Sequence, residues 1–394
     1  MTPDQTAAER GRWAVAAMFL ANGFLFGSWA PQIPLLLPRH NITEATLGLL
    51  IFGLGVGAVS AMSFSGAVIA RIGSRRALRI FALLSVGTLM LVVLAPDLWL
   101  LAPAMAIMGG TLGCMDVAMN ANAVEVEKRL DRAIMSSSHG FWSLGGFIGG
   151  GLGGLAIAQF GPQTHAFLAT AGALAVMLAA MPFLVGEKRQ PARAKGEKAR
   201  SVWPRGWSIY ILGMMALFCM VPEGGVLDWA ALYLTKEQGS DLATASFAYA
   251  VFAGTMAVVR FVGDAVRNRF GAVMTLRVSG LIGAVGLVGA SAAPTDWVAI
   301  AFFGITGLGV ANMVPIVLSA AGNHPGASSG SGIAAVTMLG YSGILIAPSA
   351  IGFAAQHFGY RLTYFVLAGL LLTVCVLAGR VAAADRIGSP AAAE

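Results

Sequence analysis

The chain has 394 residues, of which 57% are hydrophobic and 11% are charged, and its mean hydropathy is +0.77. Soluble proteins carry roughly 25% charged residues, so this composition excludes an ordinary soluble enzyme and predicts an integral membrane protein. A net charge of +7 suits a nucleic-acid-binding protein only when the basic residues form a patch on a polar domain. Here the basic residues lie between apolar runs, and we expect no nucleic acid as a partner.

Apolar runs of about 20 residues, the length of one helical membrane crossing, recur along the chain. Backbone exposed to lipid must satisfy its own hydrogen bonds, so each run is predicted to be an α-helix. The predicted fold is therefore an all-α integral membrane protein with twelve transmembrane helices. Breaks at Gly, Pro and charged residues place the spans at 12–37, 44–69, 75–95, 98–127, 135–160, 163–185, 205–235, 241–266, 272–292, 295–321, 328–356 and 361–382.

The basic residues fall almost entirely on one side of the predicted membrane. Of the 25 Lys and Arg residues, 21 lie in the terminal segments and in the loops on the same side as the termini, and three lie in the loops on the other side. Cytoplasmic loops carry the excess of Lys and Arg in membrane proteins. The sequence therefore predicts a multi-pass protein of the inner (cytoplasmic) membrane with both termini in the cytoplasm.

A charged segment divides the twelve spans into six and six. It runs from 186 to 206 and contains Pro191 and Pro204. We interpret it as a solvated linker; the alternative is a segment that binds anionic lipid headgroups. The predicted organisation is a six-helix bundle at 1–185, a cytoplasmic linker at 186–204 and a second six-helix bundle at 205–394.

The two halves share short sequence matches. The tripeptide Ser28-Trp29-Ala30 is echoed by Asp228-Trp229-Ala230 after 200 positions, and Arg76 is echoed by Arg277 after 201 positions. Together with the linker, these matches favour a duplicated unit and hence two pseudo-symmetric six-helix bundles. In such carriers the solute binds between the halves near the middle of the bilayer.

The loop between spans 2 and 3 reads GAVIARIGSRR, residues 66–76. It resembles the cytoplasmic loop motif of the major facilitator superfamily of secondary transporters, although Ala70 stands where that motif has Asp. The resemblance implies a carrier that works by alternating access, as a monomer. The matching residues are Gly66, Arg71, Gly73, Arg75 and Arg76.

Span 4 carries an acid in an apolar run, GCMDVAMNANAVEVE at 113–127. Asp116 and Asn120 are four positions apart and therefore share one helix face, whereas Asn122 points away from it. Carboxylates inside a membrane are costly and mark ion or proton pathways, so Asp116 is a proton-coupling candidate; a structural hydrogen bond is the alternative. The pair is also similar to an acid and Asn in span 4 of fucose-permease-like sugar:proton symporters, whose second acid, in span 1, is absent here.

Span 7 contains a second polar cluster, VPEGGVLDWAALYL at 221–234. Pro222 and the two glycines after Glu223 predict a kink or an unwound turn there. Glu223 and Asp228 are further proton-coupling candidates, and Asp228 has two alternatives: it replaces the missing span 1 acid, or it reaches water outside the membrane. Trp229 and Tyr233 are interpreted either as an interfacial aromatic belt or as a stacking platform for a ring-shaped solute.

Arg260 is the one basic residue placed well inside a predicted span. A guanidinium within a membrane needs a partner. The local interpretation pairs it with Asp264, one turn further along span 8. The alternative pairs it with Asp116 or Glu223 across the solute cavity, where it would act as a gate.

Other polar residues complete the predicted cavity. The glycine-rich surface of span 5 predicts close helix packing. His139 and Trp142, at the start of this span, either line the cavity or have a structural role. Span 10 has an Asn beside Pro315, and span 1 has weaker candidates. The candidate residues are His139, Trp142, Asn312, Asn22 and Gln32.

Several chemistries are not expected. The sequence lacks the GxxxxGK[ST] phosphate-binding loop and the catalytic patterns HExxH and GxSxG, and its Cys and His residues are widely scattered. We therefore predict no enzyme, no cofactor and no metal site.

The predicted function is secondary transport by alternating access, as proton-coupled symport of a small polar solute such as a sugar or related metabolite. Its partners are this solute, protons and the lipid bilayer. Two alternatives stay open: a proton-coupled efflux antiporter for drugs or metabolites, and a membrane receptor or scaffold that does not transport.

Overall fold

The computed structural model describes residues 3–130, 134–186, 207–324 and 329–385. All regular secondary structure in these ranges is helical, and twelve helical segments are long and apolar enough to cross a membrane. The predicted all-α fold and the predicted number of spans are confirmed. The linker predicted at 186–204 falls, after its first residue, outside the described residues.

The helices follow the predicted spans closely. Their bounds are α1 Pro3–Trp29, α2 Ile33–His40, α3 Glu44–Ile72, α4 Ser74–Val86, α5 Thr88–Leu94, α6 Leu98–Leu130, α7 Met135–Phe160, α8 Pro162–Ala180, α9 Trp207–Glu237, α10 Leu242–Phe270, α11 Ala272–Ala292, α12 Asp296–Val310, α13 Met313–Gly322, α14 Ser329–Phe358 and α15 Tyr360–Leu377. Three 3₁₀ segments lie at Ala30–Gln32, Met181–Phe183 and Ala378–Asp385.

Three spans are interrupted in the described residues, and none of them is span 7, where a kink or an unwound turn was predicted. Span 1 changes to a 3₁₀ turn between α1 and α2, span 3 has a turn at Gly87 between α4 and α5, and span 10 has a turn at Ala311 and Asn312 between α12 and α13. Pro315 then occupies the first turn of α13, where a missing N–H removes no intrahelical bond. The unwound turn beside Glu223 is wrong, because α9 is continuous through Pro222. A kink at Pro222 stays a prediction.

Helix starts repeat with a constant spacing. The helices α10, α11, α12 and α15 begin 198 positions after α3, α4, α6 and α8, respectively. The N-caps repeat as well: the Thr43 side chain accepts a hydrogen bond from Thr46 N, and Asp241 accepts one from Thr244 N. Hydrogen bonds from the backbone and side chain of Thr244 also hold the pKa of Asp241 below its usual range.

This spacing corrects one predicted match between the halves. At 198 positions, Arg277 corresponds to Arg79 rather than to Arg76. The match of Trp29 with Trp229 lies two positions away from the same spacing.

Each half packs mainly on itself, and the halves meet along α7 against α10 and α3 against α14. The glycine-rich α7 makes this possible, because side chains of α10 approach it too closely for larger residues on α7. A Cβ on Gly146 would lie 2.7 Å from the Tyr249 hydroxyl, and one on Gly150 would lie 3.1 Å from the same ring. The close packing predicted for this surface is therefore confirmed.

The chain crosses the membrane twelve times between Pro3 and Asp385, so these two residues lie on the same side of the molecule. We call this side the terminal face. The other side, where α2 ends and α3 begins, is the opposite face. Three of the four polar contacts found between the halves in the described residues lie at the opposite face. They join Glu44 to Lys236 (3.4 Å), Ala45 N to Gln356 Oε1 (3.1 Å) and Ser349 Oγ to Gly48 O (3.2 Å).

Candidate functional site

The fourth contact between the halves lies within the membrane-spanning helices and involves Arg260 of α10. Its Nη2 forms an ion pair with Glu223 Oε1 of α9 at 3.2 Å. Its Nη1 donates to Ser143 Oγ of α7, in the other half, at 2.7 Å. The side chains are partly exposed, 14% for Arg260 and 26% for Glu223. One guanidinium thus connects an acid of the second half to a hydroxyl of the first.

The structure therefore gives Arg260 a cross-helix partner, as in the gate interpretation. The side chain of Asp264, the predicted local partner, lies outside the described residues. Asp116 is not joined to Arg260 by a described ion pair, so of the two cavity acids it is Glu223 that Arg260 engages.

A small cavity adjoins this ion pair between the halves. Its space of about 20 Å³ is enough for a single water molecule. The two halves therefore leave little space beside the ion pair in this conformation. The cavity is lined by Trp142, Ser143, Glu223, Leu227, Tyr249, Phe252, Ala253 and Met256.

A second polar group forms within the first half around Asp116. Asn120 Nδ2 donates to the backbone oxygen of Asp116 at 2.9 Å and to its Oδ1 at 3.3 Å. Asn120 Oδ1 meets His139 Nε2 at 3.2 Å, and the His139 ring packs edge-on against Phe19. Asp116 and Asn120 share one face and are half-buried, as the spacing predicts. His139, predicted only as a candidate, joins them from α7.

Asn22 belongs to a separate bridge. Its Nδ2 donates to Leu112 O at 3.2 Å, and its Oδ1 accepts from Trp142 Nε1 at 2.9 Å. Asn22 is fully buried, and these two hydrogen bonds join α1 to α6 and α7 within the first half. Trp142 therefore takes part in both sites: its indole N–H donates to Asn22, and the residue also lines the small cavity.

Asp228 differs from Glu223 although both lie on α9. Its side chain is half-buried and makes no hydrogen bond or ion pair with any other residue in the described ranges. Gly224, one turn earlier on the same helix face, has open space where a Cβ would lie. Asp228 thus has no described polar partner, and the position of Gly224 beside it is open.

Three predicted cavity residues are instead packed within their own half. Trp229 is buried against Gly352, and Tyr233 donates to Ala290 O at 2.7 Å and contacts Tyr364. Neither the aromatic belt nor the stacking platform is therefore correct, because α9 turns these rings towards its own bundle. Gln32 is also buried and bonds His165 and Pro162 O near the opposite face.

Asn312 occupies the turn between α12 and α13, where its side chain leaves no space for a Cβ on Gly263 of α10. It is half-buried and caps no helix through its side chain. A role as a solute ligand stays a prediction.

The residues of the loop motif lie at the terminal face, as the resemblance implies. Gly66, Arg71 and Arg76 are exposed, and Gly73 joins α3 to α4 with φ 83°. Arg75 Nη2 donates to Pro182 O at 3.4 Å, which ties the loop to the end of span 6. The side chain of Ala70 lies outside the described residues.

Sequence reasoning missed several residues that the structure brings to these sites. Ser143 is four positions after His139 on α7, and that spacing was a usable signal. Arg79 donates twice to Met181 O, at 3.1 and 2.6 Å.

A larger groove of about 500 Å³ lies at the opposite face, where α2 meets the adjoining ends of α9 and α10. Its lining is largely apolar and includes Pro34, Leu232 and Lys236. Its lining contains none of the acids described above. No cluster of His, Cys, Asp or Glu suitable for a metal ion was found in the described part of the chain.

Comparisons with known proteins identify the family. The sequence model of the Major Facilitator Superfamily matches residues 15–348 and, in a further match, residues 229–393. An uncharacterized MFS-type transporter of Yersinia pestis is 36% identical over 369 residues, which are 93% of this chain and 94% of that protein. The membrane protein MosC of Rhizobium meliloti is 30% identical over 92% of this chain and 88% of its own length. The chain belongs to the major facilitator superfamily and is a multi-pass transporter, not an enzyme.

Solved structures agree at the level of the fold. A point mutant of the nucleoside transporter NupG has a TM-score of 0.74 with 11% identity, covering 94% of this chain and 99% of that one. A D-xylose-proton symporter has a TM-score of 0.72 with 14% identity, covering 94% and 96%. The human organic anion transporter MFSD10 has a TM-score of 0.70 with 16% identity, covering 96% and 100%. Similarity at this identity establishes the fold and leaves the solute open.

Proposed function

We propose that this transporter is a proton-coupled symporter of a small polar solute such as a sugar or related metabolite. The observation that carries the proposal is the contact of Arg260 with Glu223 in its own half and with Ser143 in the other half. The same guanidinium holds an acid and bridges the interface that must open during alternating access. The D-xylose-proton symporter among the similar folds is consistent with this function.

The ion pair provides a means of coupling. While Glu223 is ionised, it attracts Arg260, which also holds Ser143. When Glu223 takes up a proton, the ionic part of this attraction is lost, and Arg260 is free to interact with solute or to release Ser143. Protonation and opening of the interface are then linked, because both depend on the partner of one guanidinium.

Asp116 is proposed as a second proton site on the first half. Its carboxylate is half-buried and bonds Asn120, which bonds His139. His139 and Ser143 are four positions apart on α7, so the two polar groups lie along one helix face. A proton that enters at either acid therefore lies close to the surface where the halves meet.

We also propose that the terminal face is cytoplasmic, that the protein resides in the inner membrane and that it acts as a monomer. The excess of Lys and Arg in the terminal segments and terminal-face loops supports the orientation. The similarity to fucose-permease-like symporters rests on Asp116 and Asn120 and stays a prediction.

The test uses the full-length protein in liposomes that contain a pH-sensitive dye, challenged with sugars, organic acids and cationic drugs. We expect solute-dependent acidification of the lumen by the wild type. In Glu223→Gln and Asp116→Asn the acidification should fall by about 10–100-fold, since a hydrogen bond to a charged group contributes about 1.5–3 kcal/mol. Exchange of labelled solute across the membrane, which needs no net proton movement, should continue.

Asp97→Asn is the matched control, because Asp97 is exposed and outside the spans, and Asn preserves its bond to Leu100 N. Unchanged acidification in both Glu223→Gln and Asp116→Asn would refute the proposal. Alkalinisation on drug addition would instead indicate efflux by antiport, and silence with every compound would favour a receptor or scaffold.

A further inference from the structure

One face of α9 is not used by the coupling contacts. Gly224 and Asp228 are four positions apart on this face, and Gly224 borders open space. Glu223 lies on a neighbouring face, where it is held by Arg260. The two acids of α9 therefore have different surroundings, although only five positions separate them.

Asp228 lies at membrane depth. It precedes the end of α9 at Glu237 by nine positions, or about 14 Å at 1.5 Å per residue, inside an apolar layer about 30 Å thick. Carboxylates at such depth are normally paired, or they line the pathway of a substrate or ion. In the described residues Asp228 has no polar partner, so the second explanation fits.

The balance of charge in the interior limits what can bind there. Among the described side chains, Asp116, Glu223 and Asp228 lie centrally in their spans together with one guanidinium, Arg260. Glu223 already engages this guanidinium. Asp116 has only Asn120 as a side-chain partner, so neither it nor Asp228 is balanced by a basic residue there. A negatively charged solute would meet two such carboxylates.

We propose that Asp228, beside the open space at Gly224, is a specificity-determining residue. Its carboxylate accepts hydrogen bonds from a hydroxyl or ammonium group of the solute, and it excludes solutes that carry a carboxylate or phosphate. This inference rests on the proposed transport of a small polar solute, but it assigns Asp228 to solute selection rather than to proton coupling. The lack of a side chain at Gly224 leaves room for the solute next to the acid.

The experiment uses solutes of the same shape and different charge. The probes are a hexose, the corresponding hexosamine and the corresponding hexuronate, with a second set of polyol, amino polyol and aldonate. Uptake into liposomes is measured for the full-length wild type, for Asp228→Asn and for Gly224→Leu, under an imposed proton gradient. Asp97→Asn and Gly369→Leu are the matched controls, since Gly369 is exposed and a Cβ there meets no atom.

We expect the wild type to transport neutral or cationic members and to exclude the anionic member by at least about tenfold. Asp228→Asn should reduce the preference for the cationic over the anionic member by about 10–100-fold, the effect of a charged hydrogen bond. Gly224→Leu should abolish uptake of all members without lowering the temperature of unfolding, because the new side chain enters open space.

Comparable uptake of the hexuronate and the hexose by the wild type would overturn the inference, as would an unchanged charge preference in Asp228→Asn. Neither result affects proton symport. Uptake that follows the expected order of charge without acidification would instead refute symport and support the inference. No uptake of any member of either set would refute the proposed function and this inference together.

Discussion

Polar residues in the membrane layer form two groups that differ in burial. Asn22, Gln32 and Asn122 are fully buried amides, and each joins two or more helices of the first half. The charged residues Glu223 and Arg260 are only partly buried and lie where the halves meet. Amides that donate hydrogen bonds within one half hold its helices together, whereas the partly exposed charges can change partners as the halves move.

The ion pair between Arg260 and Glu223 should show strong thermodynamic coupling. Arg260→Gln alone leaves the Glu223 carboxylate without its ionic partner and should lower stability by about 1–3 kcal/mol. The double variant Arg260→Gln/Glu223→Gln should recover much of this loss, because no unbalanced charge remains. Thermal unfolding of the four proteins in detergent, treated as a double-mutant cycle, measures the coupling.

The control for this cycle is the pair of Arg361 and Glu237, which are 3.9 Å apart and 45% and 28% exposed. Its coupling should lie below about 1 kcal/mol, as is usual for exposed ion pairs. Equal coupling in the two cycles would contradict the special role of Arg260.

At the scale of the element, four short connections share one backbone geometry. Gly73, Gly161, Gly271 and Gly359 each join two helices, with φ between 78° and 83° and ψ between 154° and 164°. Essentially only glycine adopts this region. Gly271 follows Gly73, and Gly359 follows Gly161, by the same 198 positions that separate the helix starts. The repeat is therefore built from helix pairs that turn through an equivalent glycine.

Gly271→Ala should lower stability by about 1–3 kcal/mol, because a Cβ strains this backbone conformation. Gly369→Ala, in the exposed middle of α15, should instead be neutral or stabilising by up to about 1 kcal/mol. The midpoints of thermal unfolding in detergent distinguish the two. If Gly271→Ala raised the midpoint of thermal unfolding as much as Gly369→Ala does, the backbone at Gly271 would not be strained.

At the scale of the whole molecule, this conformation is sealed at the opposite face. A Cβ on Gly48 of α3 would lie 2.7 Å from Pro348 O and 3.1 Å from Ser349 Cα of α14. Glu44 and Lys236 pair near this contact. Close backbone approach supported by polar contacts makes this face a closed gate between the halves.

Gly48→Leu should separate the halves at this gate and shift the population towards a state open at the opposite face. A destabilisation of the sealed state by about 1.4 kcal/mol changes the ratio of the two states tenfold. The measurement is maleimide labelling of Leu227→Cys, beside the central cavity, in a protein whose Cys114, Cys219 and Cys375 are replaced by Ser. Labelling from the opposite face should rise in Gly48→Leu and stay unchanged in Gly369→Leu. No increase in Gly48→Leu would argue against the gate.

The sequence by itself determined the twelve helices and their approximate bounds, because a membrane requires long apolar helices. It also determined the contact of Asp116 with Asn120, since residues four apart meet within one helix. It did not determine the partners of Arg260. These are Glu223, 37 positions away in the sequence, and Ser143, 117 positions away. Those contacts, and the burial of Trp229 and Tyr233 away from the central site, depend on how each helix is rotated. The tertiary structure decided that rotation through the packing of small residues such as Gly146 against neighbouring helices.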